Sequence, residues 1–180
     1  MFTDPKKNVH EFGFIPGQRV VDFGSGSGHY VSELSTLLGP SGKVVAVDIE
    51  DDLLVKLKNE AIIAGRDNVE VIDGDVEKRN GTKLRDNFAD GVVMSNILYQ
   101  LRDVKGALEE AKRILKPGGR VCVIDWIDFS MVSKANKVNN LKPLSELDAR
   151  KAFESAGFTL DRTFGAGESH YGLIFGKPLQ

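Results

Sequence analysis

Apolar residues along the chain fall into two alternating rhythms. Short β-rich runs occupy about residues 18–23, 43–48, 69–73, 90–95 and 120–125, each closed by a polar or glycine-containing turn. Between them apolar positions recur at three- and four-residue steps. Tyr30, Leu34, Leu37 and Leu38 predict one helix, and Leu53, Leu54, Leu57, Ala61 and Ala64 a second. Val104, Ala107, Leu108, Ala111, Ile114 and Leu115 predict a third, before the fifth strand. Gly39-Pro40, Gly65 and Pro117-Gly118-Gly119 stand where these segments must leave helical geometry. Strands alternating with one-sided helices predict an α/β fold, a parallel sheet wound with helices on both faces.

The rest of the chain departs from this rhythm. Residues 79–88 are too polar and short for more than a turn or a single helical turn, and 127–143 show no period, which predicts a long loop and leaves open whether it closes as a lid. Ser145 to Ala156 reads as a helix, with Ser145 as N-cap, Asp148 in the capping-box position and Gly157 as its stop. Phe158–Phe164 and Tyr171–Phe175 flank Gly165-Ala166-Gly167, a hairpin spacing that predicts an antiparallel last strand. At the front, Asp4-Pro5 opens a short helix leading into Val9 to Phe12.

With 180 residues, the whole of 1–180 is expected to form a single domain. A net charge of −2 without a dense Lys/Arg stripe disfavours a nucleic-acid partner. The single cysteine, Cys122, sits in an apolar run, which excludes an intrachain disulfide and predicts a buried, inert thiol. No stretch approaches the ~18 apolar residues of a membrane span, and MFTDPKKNVHEF lacks a secretory apolar segment, so a cytoplasmic location is expected.

The chemistry is concentrated in VVDFGSGSGHY, Val20 to Tyr30. An apolar strand ends on Asp22, and Gly24, Gly26 and Gly28 then open a helix, letting the main chain approach a ligand where a Cβ would collide. Asp48 closes the second strand, where a carboxylate accepts both hydroxyls of a ribose. A dinucleotide fingerprint would place its third glycine where His29 stands. Asp22 would repel a pyrophosphate but attract an ammonium, which favours S-adenosylmethionine over a phosphate-bearing nucleotide.

These residues, with Gly74-Asp75 after the third strand and LKPGG before the fifth, resemble the class I S-adenosylmethionine-dependent methyltransferases. The stretch Met94 to Asp125 is similar to the ubiquinone/menaquinone-biosynthesis type of methyltransferase domain. The resemblance implies a Rossmann-like, doubly wound, seven-stranded sheet, mostly parallel with an antiparallel last strand. It also implies that Gly24, Ser25, Gly26 and Gly28, with Asp22 nearby, lie under the methionine part. Asp48 would hold the ribose, and Ile49 and Val76 would pack on the two faces of the adenine. Asp75 would accept from the exocyclic amine. Ser95 and Asn96 would meet the methionine end and the acceptor. Asp75 within Asp73-Gly74-Asp75 also reads as a turn acid, and Ile49 and Val76 as packing residues.

Methyl transfer from a sulfonium, yielding S-adenosylhomocysteine, mainly requires alignment in a dry pocket. An acceptor that loses a proton would need a base, and imidazole suits that task near neutrality. The resemblance places His170 at the acceptor rim, while His29 is expected near the cofactor and His10 in a lid or a core-packing helix. Asp125 is expected to face the active-site edge, and Trp126 and Tyr99 either to wall the acceptor or to fill core. The chain lacks an N-P-P-Y-like signature, which disfavours nucleic-acid amines as substrates, and it has Ser95 where a catechol-type enzyme needs a metal-binding acid, so no metal is expected. It is also shorter than typical quinone methyltransferases, which points to a compact small-molecule acceptor. Two alternatives stay open at this point, an S-adenosylmethionine-binding regulatory module without turnover and an NAD(P)-dependent oxidoreductase.

Overall fold

A computed structural model describes residues 3–127 and 144–179, so the loop expected at 127–143 lies outside the described residues except for Ile127. Strands β1 (Arg19–Phe23), β2 (Lys43–Asp48), β3 (Val69–Asp73), β4 (Ala89–Ser95), β5 (Leu115–Trp126), β6 (Thr159–Gly165) and β7 (His170–Gly176) form one sheet in the order β3-β2-β1-β4-β5-β7-β6. β7 runs antiparallel to both its neighbours, and the pairs among β1 to β5 are parallel. The expected mostly parallel, seven-stranded, doubly wound sheet is therefore the observed one. Order reverses between β1 and β4, the crevice where ligands of such sheets bind at the carboxyl ends of the strands.

The alternation along each central strand feeds two cores. Val20, Val44, Ala46, Val93, Cys122, Ile124 and Ile174 face α1 (Pro5–Glu11) and α2 (His29–Leu38), with Leu57 of α3 (Asp51–Ile63). Val21, Phe23, Val45, Val92, Met94, Val123 and Phe175 face α4 (Val104–Ile114) and α5 (Glu146–Ser155). Near-continuous apolar strands are what burial on both faces requires. On the second face Phe153 stacks on Phe175 with ring centroids 4.4 Å apart. On the first, Phe12 stacks on Tyr30 and fixes α1 against the domain, so the core-packing account of this helix holds and His10 points outward.

The helix starts behave as their sequences require. The Asp4 side chain accepts from Lys7 N, with Pro5 in the first turn, and Ser145 Oγ accepts from Asp148 N. One boundary differs from expectation. α4 stops at Ile114 because Leu115 is already extended and paired with Ala89, and the register shift between Ala89 and Gly91 accommodates Lys116 to Gly119. Residues 79–88 form turns, held by Glu110 of α4, whose buried carboxylate accepts from Asn80 N and from Thr82 N and Oγ1. Cys122 is fully buried in the first core, and burial pushes its thiol far up.

Candidate functional site

The turn after β1 is built by glycines that the backbone forces into left-handed space, with φ of +67° at Gly24, +51° at Gly26 and +77° at Gly28. A Cβ on Gly24 would collide with the Ile97 side chain, and one on Gly28 would come within 2.7 Å of Leu57. A Cβ on Gly26 would meet nothing within 4 Å, so its bare backbone faces open space. The turn is tied to β2 by Gly24 N and Ser25 N, which both donate to the Val47 carbonyl.

Asp48 braces the same turn. Its Oδ2 accepts from Gly26 N at 2.8 Å and its Oδ1 from Glu50 N at 3.1 Å. Each carboxylate oxygen keeps a further lone pair for another donor.

Two adjoining cavities share Gly24, Gly26 and Gln100. The larger, about 540 Å³, is lined by Asp22, Ser25, His29, Tyr30, Ser95 and Asn96 among others. The smaller, about 330 Å³, is lined by Asp48, Ile49, Asp75, Val76, Ile97 and Leu101 among others. Of the residues singled out as cofactor-binding, Gly28 alone is not on either lining, and it sits buried behind the turn as N-cap of α2.

Electrostatics distinguish the two ends. Asp22 is 2% exposed, and burial followed by the charge of Asp48 pushes its carboxyl up to about 8. Such a group ionises readily only when a cation arrives. Asp75 is held low, first by Lys78, and its Oδ1 also accepts from Glu77 N, so it is a turn acid as well as a lining residue. Two buried polar atoms on the larger cavity, Ser25 Oγ and Asn96 Oδ1, have no hydrogen-bond partner. Asn96 also has φ +54° and is pinned through its N–H to the Ile124 carbonyl. A buried hydroxyl and a buried amide oxygen without partners are what a polar ligand would satisfy.

The two candidates on the acceptor side are elsewhere. Asp125 is buried, with Oδ2 accepting from Leu98 N and Oδ1 from Trp126 N, and burial raises its carboxyl to about 6. It therefore pins the loop after β4 that carries Asn96. His170 is buried against Trp126, ring centroids 4.0 Å apart, and both its ring nitrogens lack partners. Burial lowers its imidazole to about 4, so the near-neutral base expected from the sequence is not what the fold makes of it. Neither residue lines the two cavities.

Sequence reasoning missed Thr3, Pro5, Ser27 and Gln100 on the larger cavity and Glu50, Leu53, Glu77, Ile97 and Leu101 on the smaller. It also assigned Tyr30 only to the sheet-facing stripe of its helix. Asn8 donates to the Tyr30 hydroxyl at 3.0 Å, which holds that residue between core and cavity. No periodicity encodes such a contact, although proximity to the glycine turn was a usable signal for Ser27 and Tyr30.

A family model described as a methyltransferase domain matches residues 15–157. The chain is 31% identical over 153 residues to the ubiquinone/menaquinone biosynthesis C-methyltransferase UbiE of Hahella chejuensis, covering 83% of this chain and 60% of that protein. It is 37% identical over 118 residues to UbiE of Cronobacter sakazakii, covering 63% and 45%. The chain thus spans about half the length of these curated relatives. Among solved structures it resembles a SAM-dependent methyltransferase from Aquifex aeolicus, with a TM-score of 0.82, 29% identity and coverage of 97% of this chain and 89% of that one.

Proposed function

We propose, because the chain belongs to the class I S-adenosylmethionine-dependent methyltransferases, that its two adjoining cavities hold S-adenosylmethionine end to end and that it methylates a small-molecule acceptor. The observation that carries this reading is the pair of cavities joined across Gly24 and Gly26, with a braced carboxylate on one side and a raised one on the other. When bound, S-adenosylmethionine supplies a methyl carbon made electrophilic by its sulfonium.

Everything else is the work of the chain's own groups. Asp48 offers its free lone pairs to vicinal hydroxyls while its other lone pairs keep the turn closed. Val76, buried, and Ile49, exposed, line the smaller cavity with Asp75 and offer apolar surface to an adenine. Asp22 ionises against an ammonium, and Ser25 and Asn96 gain the partners they lack. Ser95 and Asn96 stand at the end of β4, toward the acceptor. Asp125, through Leu98, keeps that loop in register, which is positioning rather than proton transfer. Alignment of this kind is worth ~7–11 kcal/mol in a bimolecular reaction, so no elaborate acid–base set is needed.

The deciding experiment is calorimetric titration with S-adenosylhomocysteine beside NADH, followed by transfer of labelled methyl groups to a panel of small acceptors. Affinity for S-adenosylhomocysteine and label on an acceptor are expected. NADH binding alone would refute the reading, and tight cofactor binding with no transfer would leave only a binding module.

A further inference from the structure

The larger cavity has one carboxylate and one basic side chain among its described lining residues, Asp22 and His29. An α-amino acid carries one group of each opposite sign, so an acid alone answers half of it. We propose that His29, oriented by Ser27, binds the carboxylate of the cofactor's amino-acid end in the cavity it shares with Asp22. The inference rests on the cofactor reading above.

Three observations support the assignment. First, Ser27 Oγ lies 2.8 Å from His29 Nδ1. With the hydroxyl donating to Nδ1, the ring proton resides on Nε2, which is then a donor even in the neutral imidazole. Second, His29 is the first residue of α2, a ten-residue helix whose N-cap, Gly28, has no side chain to satisfy the first-turn N–H groups. The partial positive charge of that helix end adds to the same pole. Third, Ser25 Oγ is buried on the same lining without a partner, a hydroxyl free to donate to an anion. Charge-assisted bonds of this kind are roughly twice as strong as neutral ones.

The sequence position is informative in retrospect. A dinucleotide-binding turn needs glycine where His29 stands, to make room for pyrophosphate. Here a side chain occupies that place, on a turn whose ligand would carry a carboxylate.

The test compares three adenosyl thioethers by calorimetry: S-adenosylhomocysteine, its decarboxylated 3-aminopropyl counterpart, and 5′-methylthioadenosine. Wild type is expected to bind S-adenosylhomocysteine at least about tenfold tighter than the decarboxylated compound. In His29→Ala that preference should collapse, while affinity for the decarboxylated compound stays within about twofold. Ser27→Ala should give an intermediate loss, and His29→Lys should restore part of the preference by keeping a cationic donor at that place. His29 is exposed, and a thermal melt of each variant confirms the fold. The proposal is overturned if His29→Ala weakens both compounds alike or leaves the preference intact. If wild type binds none of the three thioethers, the cofactor reading itself fails, a result distinct from the loss of discrimination.

Discussion

Replacing Asp48 by asparagine should separate ligand affinity from fold stability. The carboxylate is 9% exposed, takes the Gly26 N–H at 2.8 Å and the Glu50 N–H at 3.1 Å, and raises the carboxyl of Asp22 through its charge. Asparagine keeps an oxygen for Gly26, turns an NH2 toward the Glu50 N–H and removes the charge that ribose hydroxyls would donate to. Hydrogen bonds to charged groups contribute ~1.5–3 kcal/mol, so affinity for S-adenosylhomocysteine should fall about 10- to 150-fold. In the ligand-free protein the lost bond at Glu50 costs ~0.5–1.5 kcal/mol, and relief of the repulsion with Asp22 offsets part of it. The melting temperature should therefore fall by no more than about 6 °C. Calorimetric titration and a ligand-free thermal melt read the two quantities separately. Affinity within about twofold of wild type, or an affinity loss matched by an equal loss of ligand-free stability, would show that Asp48 is a brace for the turn and nothing more.

Other outcomes follow from the same geometry. Gly26→Ala should cost ~1–2 kcal/mol for its left-handed φ yet leave the fold intact, while S-adenosylhomocysteine binding is lost to a methyl standing in the cavity; unimpaired titration would remove this turn from the ligand. Because the Asp22 carboxyl is raised in the folded protein, its neutral form stabilises the ligand-free state at low pH, and that contribution is lost as pH rises through about 8. An ammonium ligand reverses this by favouring the ionised form, so affinity should climb between about pH 5 and pH 7.5 with proton release, seen as buffer-dependent binding enthalpy; a flat profile would contradict it. Glu110, fully buried, is pushed up by burial but held low on balance by Arg113 and Thr82, so it stabilises at neutral pH and loses that effect as acid protonates it. Glu110→Ala should lower stability by ~2–3 kcal/mol, by leaving the N–H groups of Asn80 and Thr82 without their acceptor and Arg113 with Asp86 as its remaining carboxylate, and an equilibrium urea melt of unchanged midpoint would refute this.

Much of the architecture is local, and local patterns were enough to predict it. Strand and helix periods, glycine stops and the Gly165-Ala166-Gly167 link each depend on a few consecutive residues, so the doubly wound sheet with its antiparallel β7 was predictable in outline. The glycine turn and Asp48 were legible for the same reason, since backbone conformation and strand ends are written in short stretches. α4 was read one residue too long because Leu115 has a helical spacing but a strand partner, Ala89, that only the folded sheet provides.

Side-chain environment is a different kind of quantity. His170, Asp125 and Asp22 are ordinary titratable residues in the sequence, and what each can do depends on how much protein surrounds it. Burial turns His170 into a weak base, gives Asp125 to two backbone N–H groups and makes Asp22 wait for a cation. The Ser27–His29 contact is local, but the cavity both share with Asp22 exists only because the end of β4, with Ser95, Asn96 and Gln100, comes against that turn. Periodicity fixes which way a residue faces, and desolvation and charge, which act through distance, are settled only when distant segments close around it.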